Sequence, residues 1–333
     1  MTRYLPIFIL ISLSPQILAQ SSVRKAFNFL QTPNNARLSA IGGVNVSLAD
    51  RDINLLYYNP ALSGDSLAGV AAASYQFYVA DIGQASFTYA HKFSGIGTVA
   101  FGIQHMNYGS IKGYDATGAE TTDFKSGETA LVISKGHQQA NFRMGVSMKF
   151  AFSNIGGYRG NALMLDLGGL FVHPREDFTI GLSIRNLGFV LSDYSMSGKA
   201  KLPFEVQAGT TFKPEHMPIR FSLTAFGIGG SGTYYDRQAG DPSPGVLDKL
   251  LRYLNLAAEV LVHRNLDLMI GYNYRIHEEL KLQDAGGSSG VSFGFALRVK
   301  SFEFVFSRST YVVGNAGYSF TLSKNIDKMI RRR

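Results

Sequence analysis

The sequence contains no cysteine and no tryptophan among its 333 residues. The absence of cysteine excludes disulfide bonds, thiolate metal sites and a cysteine nucleophile. The absence of tryptophan means that any aromatic belt at a membrane surface must be built from the 24 Phe and 17 Tyr residues. The chain must therefore obtain its stability from packing and hydrogen bonding rather than from covalent cross-links.

Long hydrophobic runs are equally scarce. Beyond the N-terminal leader described below, no apolar run approaches the ~18–20 residues that a membrane-spanning helix needs, and the mean hydropathy is only +0.02. These properties exclude a bundle of membrane helices. The formal net charge is +8, and it falls by one when Arg3 is removed with the leader. A basic chain favours anionic neighbours, such as the phosphates of lipopolysaccharide, or nucleic acid.

The first nineteen residues have the pattern of a secretory signal peptide. A basic start at Met1–Tyr4 precedes a short apolar core at Leu5–Leu13, and Ala19 supplies a small residue before a cleavage site at Gln20. An uncleaved membrane anchor is the alternative, and the short, proline-interrupted core argues against it. We therefore predict that residues 1–19 are removed and that the mature chain is exported, which argues against nucleic acid as a partner.

One stretch, Phe142–Phe152, shows the pattern that recurs through the chain. Its large apolar side chains occupy every second position, and Arg143 and Lys149 lie between them. A strand places successive side chains on opposite faces, so one face would be apolar and the other would carry the cations. A soluble sandwich could bury the apolar face, whereas a membrane barrel would turn it towards lipid and keep the cations in its lumen.

Similar alternation recurs in fourteen segments, most of which have the ~9–11 residues that a tilted membrane strand needs. The predicted strands are 67–78, 82–93, 96–107, 126–137, 140–153, 161–172, 177–187, 203–213, 217–226, 253–263, 265–275, 289–300, 301–309 and 315–324. The charged residues assigned to the lumen face are Arg143, Lys149, Asp166, Arg185, Glu205, Lys213, Arg220, Glu259, Asp267, Arg275, Arg298, Lys300 and Glu303. Their mixed signs predict charge pairing inside the lumen.

The connections differ according to the parity of the strand that precedes them. Those after even-numbered strands are tight, and all of the long ones follow odd-numbered strands: 108–125, 154–160, 188–202, 227–252 and 276–288. Outer-membrane barrels have short periplasmic turns and longer outer loops. The sequence therefore predicts an all-β fold, a fourteen-stranded antiparallel transmembrane β-barrel in the outer membrane of a Gram-negative bacterium. The long loops would be extracellular and both termini periplasmic.

The segment before the first predicted strand does not alternate. Between residues 24 and 64 it contains a glycine pair, an Asn-Pro turn and several apolar residues, which is the pattern of neither a strand nor a long helix. A barrel of this size fills its lumen with water or with a plug, so we predict a plug; a periplasmic tail is the alternative. The predicted division is a signal peptide at 1–19, a plug at 20–66, the barrel at 67–324 and a basic periplasmic tail at 325–333.

Several motifs resemble a known family. They comprise Phe29-Leu30, the run from Pro33 to Gly43, the Asn59-Pro60-Ala61-Leu62 turn and the stretch from Tyr108 to Leu131. The chain resembles the PorV/PorQ family, outer-membrane proteins of type IX secretion that are built like the FadL fatty-acid channel. The plug residues that carry the resemblance are Asn35, Ala36, Arg37, Gly42, Gly43, Asp50, Asp52, Asn59 and Pro60.

The resemblance implies a FadL-like barrel that acts as a membrane anchor rather than as an enzyme. Members of this family sit in a surface attachment complex with PorU, PorV and PorZ, where exported cargo is joined to anionic lipopolysaccharide. The chain would then hold a PorZ-like partner at the cell surface, with outer-membrane lipid and lipopolysaccharide as its other neighbours. The alternative is a FadL-like channel for a hydrophobic small molecule, which requires an apolar pocket beside the plug.

The longest predicted loop contains a candidate partner-docking surface. Residues 244–253 have a proline near their start and an apolar stripe, which predicts a short amphipathic helix. Two tyrosines and an arginine just upstream are side-chain types that dominate protein interfaces. The candidate docking residues are Tyr234, Tyr235, Arg237, Leu247, Leu250 and Leu251. Packing of the helix on the barrel's own rim is the alternative.

The sequence offers no enzymatic or cofactor site. The stretch Gly227–Gly232 matches the glycine spacing of a dinucleotide-binding loop, but the residues that follow do not have the pattern of a helix. The seven histidines are scattered without the spacing of a metal site. We therefore expect no catalytic residues, no cofactor and no metal.

Overall fold

A computed structural model describes residues 26–115, 117–194, 200–230, 245–280, 288–312 and 315–327. The predicted signal peptide, the tail beyond residue 327 and the docking candidates Tyr234, Tyr235 and Arg237 lie outside these ranges. None of the helices in the described part of the chain combines the length and the apolarity needed to span a bilayer.

Fourteen strands form one closed sheet. They are β1 (Val70–Phe77), β2 (Gly83–Phe93), β3 (Gly97–Tyr114), β4 (Glu120–Gln139), β5 (Phe142–Ile155), β6 (Tyr158–Val172), β7 (Phe178–Ser192), β8 (Glu205–Phe212), β9 (Ile219–Ile228), β10 (Leu254–His263), β11 (Leu266–Asn273), β12 (Val291–Val299), β13 (Phe302–Val312) and β14 (Asn315–Asn325). The helices are α1 (Ala36–Ala40), α2 (Val246–Leu251) and α3 (Tyr274–Leu280), with 3-10 turns at Asn28–Gln31, Ile53–Tyr57, Pro60–Leu62 and Asp65–Leu67.

Each strand pairs antiparallel with its neighbours in sequence, and the first strand also pairs with the last. The β1–β14 ladder runs from Val70 opposite Asn325 to Phe77 opposite Tyr318. Closure leaves no strand edge with unpaired backbone groups, which lipid could not satisfy. The fourteen-stranded antiparallel barrel predicted from the sequence is confirmed.

The two faces of the wall differ in polarity. On β5, the outward side chains of Phe142, Met144 and Met148 are 58%, 54% and 48% exposed, whereas the inward Ser147 and Lys149 are buried. The outward positions of the other strands likewise carry mainly Phe, Leu, Ile and Val. An apolar outside and a polar inside are what a barrel surrounded by hydrocarbon requires.

The largest difference from the sequence prediction concerns the connection between β3 and β4. Residues 108–125 were expected to form a loop, but both strands extend into this range and leave only 115–119 between them. The ladder continues through Ser110 opposite Lys125 and Gly113 opposite Thr121. Polar and glycine residues occupy both faces of this extension, so it lacks the alternation that identifies a strand inside a membrane.

The connection between β5 and β6 is also shorter than predicted, whereas β11 ends earlier than predicted. The turn between β5 and β6 is Gly156-Gly157, with φ values of 59° and 86° that glycine adopts without strain in a tight hairpin. Strand β11 ends at Asn273 and α3 follows. Arg275, expected on a lumen-facing strand, therefore lies on this helix, with its guanidinium 4.4 Å from the centre of the Phe226 ring.

The described chain begins and ends at opposite ends of the barrel. The N–H of Ala26 donates to the carbonyl of Lys201, between β7 and β8, whereas the N–H of Ile326 donates to that of Gly69, just before β1. Connections after odd-numbered strands share the Ala26 end, and those after even-numbered strands share the Ile326 end. Ala26 and Ile326 thus lie at opposite ends of the barrel because the N-terminal segment runs the length of the lumen. The predicted periplasmic termini of the mature chain lie outside the described residues, and their location stays a prediction.

Residues 26–69, which we call the lumen segment, occupy the interior of the barrel. Its apolar side chains form much of the buried core, among them Leu38, Ile41, Leu48, Ile53 and Leu55. Helix α1 packs against β12, β13 and β14, and the turn at Pro60–Leu62 packs against β4, β5 and β6. The predicted plug thus lies in the lumen, and it contacts opposite sides of the wall.

Candidate functional site

Short polar side chains shape the lumen segment into its turns. Asn35 accepts the N–H of Leu38 at 2.9 Å and caps α1. Asn59, which precedes Pro60, and Asp52 each accept the N–H two residues further on, at 3.0 Å and 2.9 Å. These contacts satisfy backbone donors that would otherwise be buried without a partner. The predicted motif residues thus include the helix and turn caps of the lumen segment.

Two asparagines of the wall hold the glycine turn that follows α1. The Asn255 amide donates to the carbonyls of Ile41 and Val44 at 2.8 Å and 2.9 Å, and the Asn273 amide donates to that of Gly42 at 3.0 Å. The φ angle at Gly42 is 86°, a conformation that residues with a side chain rarely adopt. The turn is therefore fixed both by its own backbone and by the wall.

Four alternating charges join the lumen segment to β9 and β10. Arg37 contacts Asp50 at 2.7 Å and Glu259 at 2.9 Å. Arg220 contacts the same two carboxylates, at 3.3 Å and 2.8 Å. The Arg37 guanidinium holds the pKa of Asp50 well below its usual range, against the effect of burial. This arrangement, which we call the charge ring, pairs each charge with opposite charges, two of which, on Arg37 and Glu259, are buried.

Asp52 has a different environment. Among the described residues it makes no salt bridge; its carboxylate accepts hydrogen bonds from the N–H and the side-chain amide of Asn54. Burial raises its pKa to about 6, an effect that Arg37 opposes and Glu303 reinforces. Asp52 is thus the member of the predicted motif whose protonation changes near neutral pH.

A second set of buried charges lies between β5, β6, β7 and β8. Lys149 contacts Asp166 at 2.5 Å, and Arg185 contacts Glu205 at 2.7 Å. Arg185 also donates to the carbonyl of Leu30 in the lumen segment at 2.8 Å. The predicted pairing of lumen charges is therefore observed here as well, and this pairing also fixes the lumen segment.

Several mid-strand glycines mark places where the lumen segment touches the wall backbone. A Cβ atom at Gly168 would lie 2.0 Å from the Asn59 side-chain oxygen, and one at Gly181 would lie 2.1 Å from the carbonyl oxygen of Val46. A Cβ atom at Gly271 would lie 2.2 Å from the backbone of Gly42. These glycines therefore allow close approach rather than bending of the strand.

The predicted amphipathic helix is observed as α2, and its apolar side chains are accessible. Val246, Leu247 and Leu250 are 77%, 70% and 59% exposed, whereas Leu251 is half-buried. Polar contacts attach the helix to the rim. Asp248 accepts from Arg252 and Tyr274, and Arg252 also contacts Glu278 of α3 at 2.9 Å.

A cavity of about 1060 Å³ lies at the Ala26 end of the barrel and is called the rim cavity here. It is lined by the start of the lumen segment, by β3 to β6 and by the connections that follow β1 and β7. Tyr108 and Tyr194 each donate their hydroxyl to Glu128, which is 3% exposed. This site is not apparent from the sequence, because its lining comes from separate elements and Glu128 lies in a stretch that carries only a family resemblance.

The described residues contain no cluster of histidine and carboxylate side chains that could hold a metal ion. The contacts described in the interior are ion pairs, hydrogen bonds and apolar contacts. The charge ring lies where the lumen segment meets β9 and β10, and the rim cavity opens at the end where the long connections lie.

Comparison with family models and with curated proteins gives no match. Among solved structures, the P. putida toluene transporter TodX aligns over 89% of this chain and 99% of its own, with 12% identity and a TM-score of 0.53. A TodX monoaromatic hydrocarbon channel deltaS2 mutant aligns over 87% and 96%, with 11% identity and a TM-score of 0.50. A Pseudomonas aeruginosa FadL homologue aligns over 88% and 98%, with 12% identity and a TM-score of 0.45.

At these identities the comparison concerns the fold. The likeness to the toluene transporter covers almost the whole length of both chains, and it agrees with the strand number and closure of the barrel described above. Membership of the PorV/PorQ family stays a prediction. The chain shares the barrel fold of the toluene transporter TodX.

Proposed function

We propose that this protein is an outer-membrane barrel whose long connections face the outside of the cell. The apolar outward face of the wall supports a lipid environment. The three longest connections, 193–204, 229–253 and 274–290, all lie at the Ala26 end, whereas the Ile326 end carries only short turns. Outer-membrane barrels have short periplasmic turns and longer outer loops.

We further propose that the barrel acts as an anchor for a surface protein, as the resemblance to the PorV/PorQ family implies. The observation that carries this proposal is the filled lumen. The charge ring and the hydrogen bond from Arg185 to the carbonyl of Leu30 fix the lumen segment to the wall. A barrel held in this way suits a structural role better than open conduction. Its partners would be a PorZ-like surface protein, PorU, PorV and lipopolysaccharide.

Helix α2 is the docking surface in this proposal. Three exposed apolar side chains on one short helix are costly in water unless a partner covers them. The test uses a variant in which Val246, Leu247 and Leu250 are all changed to Asp. This variant is purified by affinity from native outer membrane, and the proteins that accompany it are identified. We expect the barrel to remain folded and to lose a soluble partner that the unchanged chain retains.

The control is Tyr114→Asp, which replaces another exposed apolar side chain with a single aspartate, on the β3–β4 extension. This variant should keep the partner. Equal recovery of the partner by the α2 variant would contradict docking at α2. Sustained single-channel conductance of the unchanged protein in planar bilayers would contradict the anchor function itself.

A second candidate function is the binding or uptake of a hydrophobic molecule, and the rim cavity favours it. Ligand sites are concave, mostly apolar and commonly about 300–1,000 Å³ in volume, a range that the cavity matches. The test is native mass spectrometry of the protein released from outer membrane. A bound apolar molecule that a cavity-filling change such as Ala200→Leu removes would support this function.

A further inference from the structure

We propose that the rim cavity binds an apolar molecule that carries a cationic amine head group. The inference rests on the second candidate function and names its ligand class. It is carried by the charge of the described cavity lining, by a buried strand carboxylate that makes no ion pair with any described residue, and by the apolar walls around that carboxylate.

The charged residues that line the rim cavity are both acidic. They are Glu128 and Asp193, and among the described lining residues there is no lysine or arginine. The chain as a whole has a formal charge of +8, so the charge of this lining is opposite in sign to that of the whole protein. An anionic head group in the cavity would be repelled by these two carboxylates, whereas an ammonium group would be attracted.

Glu128 differs from the other buried carboxylates of the described strands. Asp166, Glu205, Glu259 and Asp267 each make an ion pair with a lysine or arginine. Glu128 makes none in the described part of the chain and accepts hydrogen bonds from the neutral hydroxyls of Tyr108 and Tyr194. A buried carboxylate without a counter-charge is costly, and a ligand ammonium would supply that charge.

Asp193 plays a different part. Its two oxygens accept the N–H groups of Tyr194 and Ala200, each at 2.7 Å, so it closes the loop after β7. Its negative charge adds to the potential in the cavity, while the oxygens of Glu128 have capacity for a further donor. The amine is therefore expected at Glu128, between the two tyrosine hydroxyls.

The walls around this carboxylate are suited to an apolar body. Phe27, Ile82, Ile111, Ile155 and Tyr158 line the cavity. Ile111 and Tyr158 are 37% and 63% exposed, which places the mouth of the cavity at the rim. A ligand would thus reach Glu128 from the side of the long connections, without displacement of the charge ring.

The test uses the full mature chain in zwitterionic nanodiscs and three probes with the same alkyl chain: dodecylamine, dodecanol and dodecanoate. Binding is measured by equilibrium dialysis against empty nanodiscs. We expect the amine to bind about 10-fold more tightly than the other two probes, a difference of about 1.4 kcal/mol. Glu128→Gln should remove this preference and leave dodecanol binding unchanged.

The matched control is Asp123→Asn, which removes a carboxylate from an exposed position on the same strand. It should keep the preference for the amine. If Glu128→Gln does not fold, Ala200→Leu narrows the cavity and should weaken binding of the amine and the alcohol alike.

Three results would overturn the inference. Equal binding of amine and alcohol, or a preference for dodecanoate, would refute the cationic head group while leaving a hydrophobic-ligand function intact. Binding of none of the probes would refute the inference together with the second candidate function. Unchanged amine binding by both Glu128→Gln and Ala200→Leu would place any bound amine outside the rim cavity.

Discussion

Arg37 in the lumen segment and Glu259 on β10 lie 2.9 Å apart, and both side chains are only 2% exposed. Removing one member of a buried ion pair leaves an uncompensated charge, which typically costs about 3–5 kcal/mol. We therefore expect Arg37→Met and Glu259→Gln each to destabilise the barrel by an amount of this order. The measurement is urea unfolding of the purified protein in detergent micelles.

The double variant, Arg37→Met with Glu259→Gln, is the informative comparison. It leaves Asp50 and Arg220 as a neutral pair 3.3 Å apart, whereas each single variant leaves one unbalanced charge. We expect the double variant to be more stable than either single variant. A double variant whose loss equals the sum of the two single losses would show that the four charges do not act as one ring.

The neighbouring glycines Gly168 and Gly169 provide a test of the contact between wall and lumen segment. A methyl group at Gly168 would lie 2.0 Å from the Asn59 oxygen, whereas one at Gly169 would meet no atom within 4 Å. We expect Gly168→Ala to destabilise the protein by about 1–3 kcal/mol and to raise conductance in planar bilayers as the lumen segment is displaced. Gly169→Ala should change neither quantity, and equal effects of the two variants would contradict this contact.

Asp52 makes the stability of the barrel depend on pH. Its pKa is raised to about 6 in the folded protein, mainly by burial, from a value near 4 in an unfolded chain. The contribution of Asp52 to the free energy of unfolding is thus most favourable below about pH 4 and is lost as the pH rises through 6. The total loss is about 3 kcal/mol. Asp52→Asn keeps an oxygen for the cap and has no charge to bury.

The variant Asp52→Asn should therefore be more stable than the unchanged protein at pH 8 and equal to it at pH 4. The difference between the two proteins at each pH isolates Asp52, because all other titrating groups are common to both. Urea unfolding at the two pH values is the measurement. A stability difference that does not vary with pH would refute the elevated pKa.

The absence of cysteine allows the orientation to be tested by single-cysteine labelling. Asn28, Tyr114 and Asn265 are all exposed; the first two lie at the Ala26 end and the third lies in a turn at the other end. In intact cells a membrane-impermeant maleimide should label cysteine at positions 28 and 114 but not at 265. Labelling at 265 without labelling at 114 would show that the barrel has the opposite orientation.

The barrel itself was predictable because its pattern is local. The alternation of Phe142–Phe152 follows from the two faces of a single strand, and Lys149 had to face inward once the phenylalanines faced lipid. The charge pairs in the lumen followed from the same face assignment. The prediction of strand ends was less accurate at the Ala26 end of the barrel. There β3 and β4 extend beyond the hydrocarbon, and the alternation of lipid-facing residues ends.

The interior and the rim cavity depend on contacts that are distant in sequence. Arg37 could be recognised as part of a motif, but its pairing with Glu259 depends on how the lumen segment crosses the barrel. Glu128 lies between a glycine and a threonine in the sequence, and only the fold brings Tyr194 beside it. Patterns of period two say which side of a strand a residue occupies, and they do not say what lies opposite.

The passage of the lumen segment from one rim to the other has a consequence for biogenesis. The lumen segment is joined to β1 at one end of the barrel and reaches the other end at Ala26. It therefore cannot bind from outside once β1 and β14 have paired and closed the sheet. Either the strands pair around the segment, which then acts as a template for the barrel, or the N-terminal segment enters the barrel after the sheet has closed. The buried ion pairs between segment and wall favour the first route, since desolvated charges moving through a completed pore would lack counter-ions.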